Sequence, residues 1–103
     1  TAVKLRYMSA VTSGNFVPQV QTACVDDAET GDPSWNTANT VTDATKGTTL
    51  QQNDATITPL TMTGCAAGEM LYIKILRDPA HASDTAAGTF RLIGTELSLP
   101  VAY

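Results

Sequence analysis

Hydrophobic and polar positions alternate along much of this chain. From Ala2 to Ala10, Val3, Leu5 and Tyr7 share one parity while Lys4, Arg6 and Met8 share the other. Side chains of a strand point alternately to its two faces, so this pattern predicts a half-buried first strand. Phe16 to Val25 alternates again, and Pro18 within it predicts an edge or bulged strand, because proline has no N–H to give a ladder. Thr40-Val41-Thr42 and Thr48 to Gln52 read as short strands, and Ala55 to Thr63 as a longer one. Met70 to Leu76 places Leu71, Ile73 and Ile75 on one face and gives the firmest strand signal in the chain. Phe90 to Leu99 closes the series. Its parity changes near Gly94, which predicts a β-bulge at Ile93-Gly94 that turns both apolar sets to the core.

Turn residues punctuate these runs: Ser13-Gly14-Asn15, Lys46-Gly47, Asn53-Asp54, and the polar stretch Arg77 to Gly88. Seven to eight short strands in 103 residues predict an all-β fold, an antiparallel β-sandwich of jelly-roll-like type. The length suits one domain, residues 1–103. The C-terminal third, with its two strong strands, is expected to organise the rest.

Composition narrows the function classes. Charged residues make up 16 %, against 43 % hydrophobic. The net charge is −4 and the six cations are scattered, which argues against nucleic-acid binding, whose phosphate contacts need clustered cations. No apolar run approaches the roughly 20 residues of a membrane-spanning helix. The start at Thr1, without Met, is read as a processed or trimmed N-terminus. A neutral, Thr-rich surface is one that an obligate oligomer tolerates.

Candidate chemistry is sparse. Arg77, Asp78, Asp84 and Thr85 read either as a ligand fork at a loop tip or as a structural clasp, and the clasp is the reading taken. Cys24 and Cys65 have no metal-ligand spacing. They are either bridged or two separately buried thiols. His81, the single histidine, lacks a fixed nucleophile beside it. Asp26, Asp27, Glu29 and Asp32 cluster in one loop, but their spacing does not match an EF-hand, and no metal or other cofactor is expected. Trp35 with Asn36 and Asn39 offers a stacking residue with flanking amides, the basis of a carbohydrate-binding alternative to which Gln51 and Gln52 would add hydrogen bonds; its bland reading is a loop Trp plugging one end of the fold.

The run Gly68 to Ile75, then Arg77-Asp78, Asp84-Thr85 and Leu92-Ile93-Gly94-Thr95-Glu96-Leu97, resembles the closing segment of small β-sandwich domains in tailed-phage virion proteins. Those domains tend to end in a strand, an Arg-Asp pair, a spacer, an Asp-Thr pair and a last strand. Their start is also similar, an alternating strand followed by a Ser-Gly turn. Leu99 to Tyr103 and the two cysteines fall outside that pattern. The resemblance implies a non-enzymatic virion protein, a capsid decoration or a fibre or appendage module. Its expected partners are copies of itself, in three-fold or other cyclic contact, and the major capsid protein or another virion protein. A host surface glycan is the alternative partner. Thr1 to Lys4 and Leu99 to Tyr103 are the expected contact arms.

Overall fold

The computed structural model describes residues 1–28 and 33–99. Among them there is no helix, and eight strands form three antiparallel sheets. The strands are β1 (Ala2–Met8), β2 (Asn15–Phe16), β3 (Pro18–Val25), β4 (Asn39–Thr40), β5 (Asp43–Ala44), β6 (Asn53–Ile57), β7 (Met70–Arg77) and β8 (Arg91–Ser98). One sheet runs β6-β1-β8, a second β4-β3-β7, and β2 pairs with β5 in a third.

Alternation decides which residues of β1 are buried. Val3, Leu5 and Tyr7 are buried, while Lys4, Arg6 and Met8 keep part of their surface in water. Val3 and Leu5 form one core cluster with Ile57 of β6, Val20 of β3 and Leu60, and Ile73 and Ile75 of β7 pack against it. Residues from both three-stranded sheets therefore share this core. Tyr7, Phe16, Ala55 and Ala86 form a second cluster, with Phe90 stacked on Tyr7 at 4.2 Å. Burying side chains of this size supplies roughly 1.5–3 kcal/mol each.

The organising strands are thus β1 and β3, each central in its sheet, and not the C-terminal pair. β7 and β8 are edges among the described residues. Pro18 does not mark an edge. It is the first residue of β3, where a missing N–H costs least, and its carbonyl still accepts the Val41 N–H. Val41 itself lies between β4 and β5, and packs against both clusters. The Thr48 to Gln52 stretch is a turn, pinned where the Leu50 N–H meets the Ser9 carbonyl at 2.9 Å. The strand expected from Ala55 to Thr63 runs from Asn53 to Ile57 and stops just before Thr58-Pro59.

β8 carries one extra residue relative to β1. Arg6 stands opposite Gly94 and Tyr7 opposite Leu92, which leaves Ile93 as the bulge. The bulge does not bring the flanking apolar residues into the core. Leu92, Ile93, Leu97 and Leu99 are all exposed, because no strand lies beyond β8 among the described residues.

Candidate functional site

The Arg77 to Gly88 stretch is built around one ion pair. Arg77 ends β7, and its Nη2 and Nε donate to Asp84 Oδ1 and Oδ2 at 2.7 and 3.1 Å. The same guanidinium donates to the carbonyls of Ala86 and Gly88 at 2.6 and 2.5 Å, and lies over the Phe16 ring at 4.5 Å. A planar fork with five donors is suited to this many acceptors. Asp84 Oδ2 also accepts the Val17 N–H at 3.0 Å. Thr85 Oγ1 accepts the Asn15 N–H at 2.9 Å, and the Asn15 carbonyl takes the N–H groups of Thr85 and Ala86. Asp78 takes part through its backbone, donating its N–H to the Val17 carbonyl. The loop is thereby fastened to the β2–β3 junction.

Electrostatics follow from that geometry. The Arg77 hydrogen bond holds the Asp84 carboxyl below the usual carboxylate range, against the opposing effect of burial and with help from the Val17 N–H. The same hydrogen bond raises the Arg77 pKa. The Asp84 side chain is 1 % exposed and that of Arg77 21 %, which leaves little of the fork open to a ligand. His81 is exposed near the tip, and its Nδ1 accepts the Ser83 N–H at 3.0 Å.

Gly14 explains how the loop approaches so closely. Its φ is +88°, and a Cβ there would lie 2.9 Å from the Thr85 carbonyl oxygen. Only glycine accepts both the left-handed backbone and this contact without strain.

Trp35 is half-buried, with the Lys74 ammonium 4.8 Å from its ring centroid. The Asn36 side-chain amide donates to the Thr61 and Thr63 carbonyls at 3.3 and 3.0 Å and to Thr22 Oγ1 at 3.2 Å. Asn39 bonds Thr61 twice, accepting its N–H at 2.8 Å and donating to its Oγ1 at 3.1 Å. Both amides are committed to the fold. They tie the β3–β4 region to the segment before β7, which Cys24 and Cys65 also join through a disulfide. The Gln52 amide donates to Asp54, and the Gln51 carbonyl takes the Asn53 amide. Asp26 Oδ1 accepts the Asp27 N–H, while Glu29 and Asp32 lie outside the described residues.

One polar pair, between a buried tyrosine and a half-buried aspartate, has no local signal in the sequence. The Tyr7 hydroxyl donates to Asp43 Oδ2 at 2.5 Å across 36 positions. Burial, then the Asp43 hydrogen bond and charge, push the phenol pKa well above its ordinary value.

Exposed apolar residues gather on the two edge strands. Of the seven large hydrophobic side chains exposed among the described residues, Met70 and Leu76 lie on β7, Leu92, Ile93 and Leu97 on β8, and Leu99 just beyond it. Leu50 is the exception. Comparison of the chain with protein-family models, with curated proteins and with solved structures finds no match.

Proposed function

We propose that this chain is a non-enzymatic virion structural protein that acts by self-association and by binding a particle surface, as a capsid decoration or a head or tail appendage. The observation that carries the reading is the apolar edge: six exposed large hydrophobic side chains on or beside β7 and β8. Exposed edges of this composition tend to be covered by a partner. The virion context comes from the resemblance of residues 68–97 to the closing segment of phage virion domains.

In this reading the two three-stranded sheets are the layers of a β-sandwich. The shared cluster of Val3, Leu5, Ile57 and Val20 supports that layering. Its jelly-roll-like character is supported by the way the chain, leaving aside the two-residue strands β2 and β5, changes between the two three-stranded sheets from β1 to β3, β4 to β6, β6 to β7 and β7 to β8. The carbohydrate alternative is weaker, because Asn36 and Asn39 spend their amides inside the molecule.

Immunogold labelling of intact particles with antibody to this chain tests the proposal. Label over the shell is expected for a decoration protein, and label on tails or fibres for an appendage. Particles without label overturn the virion reading.

A further inference from the structure

We propose that β8 is a self-recognition edge, on which the β8 strand of a second copy pairs antiparallel to continue the β6-β1-β8 sheet across a two-fold axis. This deepens the self-association reading above and rests on it.

The edge is open among the described residues. Among the described residues β8 pairs with β1 on one side only, so a row of its backbone N–H and C=O groups faces outward. Of the features that commonly guard a strand edge, residues 91–98 lack lysine and proline and carry two charges and the Ile93 bulge. Their apolar side chains, Leu92, Ile93 and Leu97, are 39–50 % exposed. The groove between β7 and β8, about 410 Å³, is lined by Ile75, Leu76, Phe90 and Leu92 among others, so a copy seated on β8 would also shield this apolar seam.

Charge identifies the occupant. β8 carries one cation, Arg91, and one anion, Glu96, five positions apart. In a regular strand an odd separation puts two side chains on opposite faces. The Ile93 bulge cancels that offset. Arg91 stands beside Met8 and Glu96 beside Lys4, and Met8 and Lys4 share the outer parity of β1. Arg91 and Glu96 therefore share the outer face as well. When a second β8 runs antiparallel, Arg91 of each copy meets Glu96 of the other, so one strand supplies both halves of the match twice over. Such an interface is isologous and closes on itself. Arg91 makes no ion pair among the described residues. Glu96 meets Arg6 at 3.0 Å and still keeps 52 % of its side chain exposed.

Shape agrees with charge. In this register Ile93 of one copy lies opposite Gly94 of the other. The space where a Gly94 side chain would stand is empty to 4 Å, which leaves room for an isoleucine.

The test is sedimentation velocity on the disulfide-intact protein at low salt, with circular dichroism to verify that each variant folds. Wild type is expected to form dimers. Arg91→Glu and Glu96→Arg are each expected to weaken the dimer by at least about tenfold, the equivalent of 1.4 kcal/mol, since each places like charges opposite one another twice. An equimolar mixture of the two variants restores both opposite-charge contacts and is expected to recover the dimer. Amide hydrogen exchange of wild type reads the same edge without mutation, and β8 protection should rise with protein concentration. A wild type that stays monomeric at every concentration overturns both this inference and the self-association reading. An oligomer that survives both reversals, with β8 exchange independent of concentration, overturns this surface and leaves self-association standing.

Discussion

Asp84 grips Arg77 with both carboxylate oxygens and shares one of them with the Val17 amide, so a single side chain fastens the end of β7 to the start of β3. Asp84→Ala leaves the guanidinium beside Phe16 without its counter-charge and the Val17 N–H without its acceptor. The expected loss is about 3 kcal/mol, the low end for removing one partner of a buried pair, because Arg77 keeps 21 % of its side chain in water. Arg77→Lys keeps the charge but cannot reach Asp84, Ala86 and Gly88 together, and should cost about 1–3 kcal/mol. Urea denaturation of the variants measures both.

The same pair sets the acid limb of stability. The Asp84 carboxyl is held lower in the folded chain than in the unfolded one, where it titrates at about 3.9. Its contribution is therefore fully present above that value and is lost as pH falls through the folded value. Wild type should lose stability progressively below about pH 4. Asp84→Asn should begin less stable and show a shallower decline there, read as the urea midpoint against pH. Equal slopes in the two proteins would contradict this account.

Tyr7 governs the alkaline side. Its phenol is protonated in both states at neutral pH, and folding raises its pKa. Stability from this group is thus unchanged up to the unfolded value of about 10, and is lost as pH rises further, because the unfolded chain ionises first. Tyrosinate absorbance should show a phenol that titrates only together with unfolding, and Tyr7→Phe should remove that component. The variant also leaves Asp43 without the hydroxyl it accepts, at a cost of about 1–3 kcal/mol.

Gly14→Ala tests the close approach of the clasp loop. The added methyl would face the Thr85 carbonyl oxygen at 2.9 Å from a backbone at φ +88°. A loss of about 1–3 kcal/mol is expected, the range for a non-glycine residue held in a sparsely populated conformation. Proteolysis should cut the loop faster in this variant than in wild type.

Reducing the Cys24–Cys65 bridge releases a constraint across 41 positions. Chain entropy assigns such a closure about 4 kcal/mol, acting chiefly on the unfolded chain. The Asn36 bonds to Thr61 and Thr63 hold the same two segments together without it. Reduced protein should therefore keep its β-sheet circular dichroism spectrum while unfolding at lower urea.

Alternation made the faces of β1 legible, since Val3, Leu5 and Tyr7 are the residues that sink into the core. It could not say which strand lies beside which. The strong patterns of β7 and β8 read as the strands that organise the fold, and the parity change in β8 as a bulge that turns both of its apolar sets to the core. Yet each is an edge whose second neighbour is absent among the described residues. Pro18 misled for a related reason: its cost depends on where in the strand it falls. In the clasp, Arg77 and Asp84 are seven positions apart and stand out as opposite charges flanking a loop. Val17 and the Ala86 and Gly88 carbonyls are backbone partners, invisible to residue type. The Tyr7–Asp43 pair joins a strand to a polar stretch with no feature of its own, so nothing local announces it.

The cation over the indole has an optical consequence. Trp35 is the single tryptophan, and Lys74, which covers it, projects from the edge strand β7. The chain therefore carries its own fluorophore, attached to the β7 edge of the β4-β3-β7 sheet. Its emission is a label-free reporter of what happens along that edge.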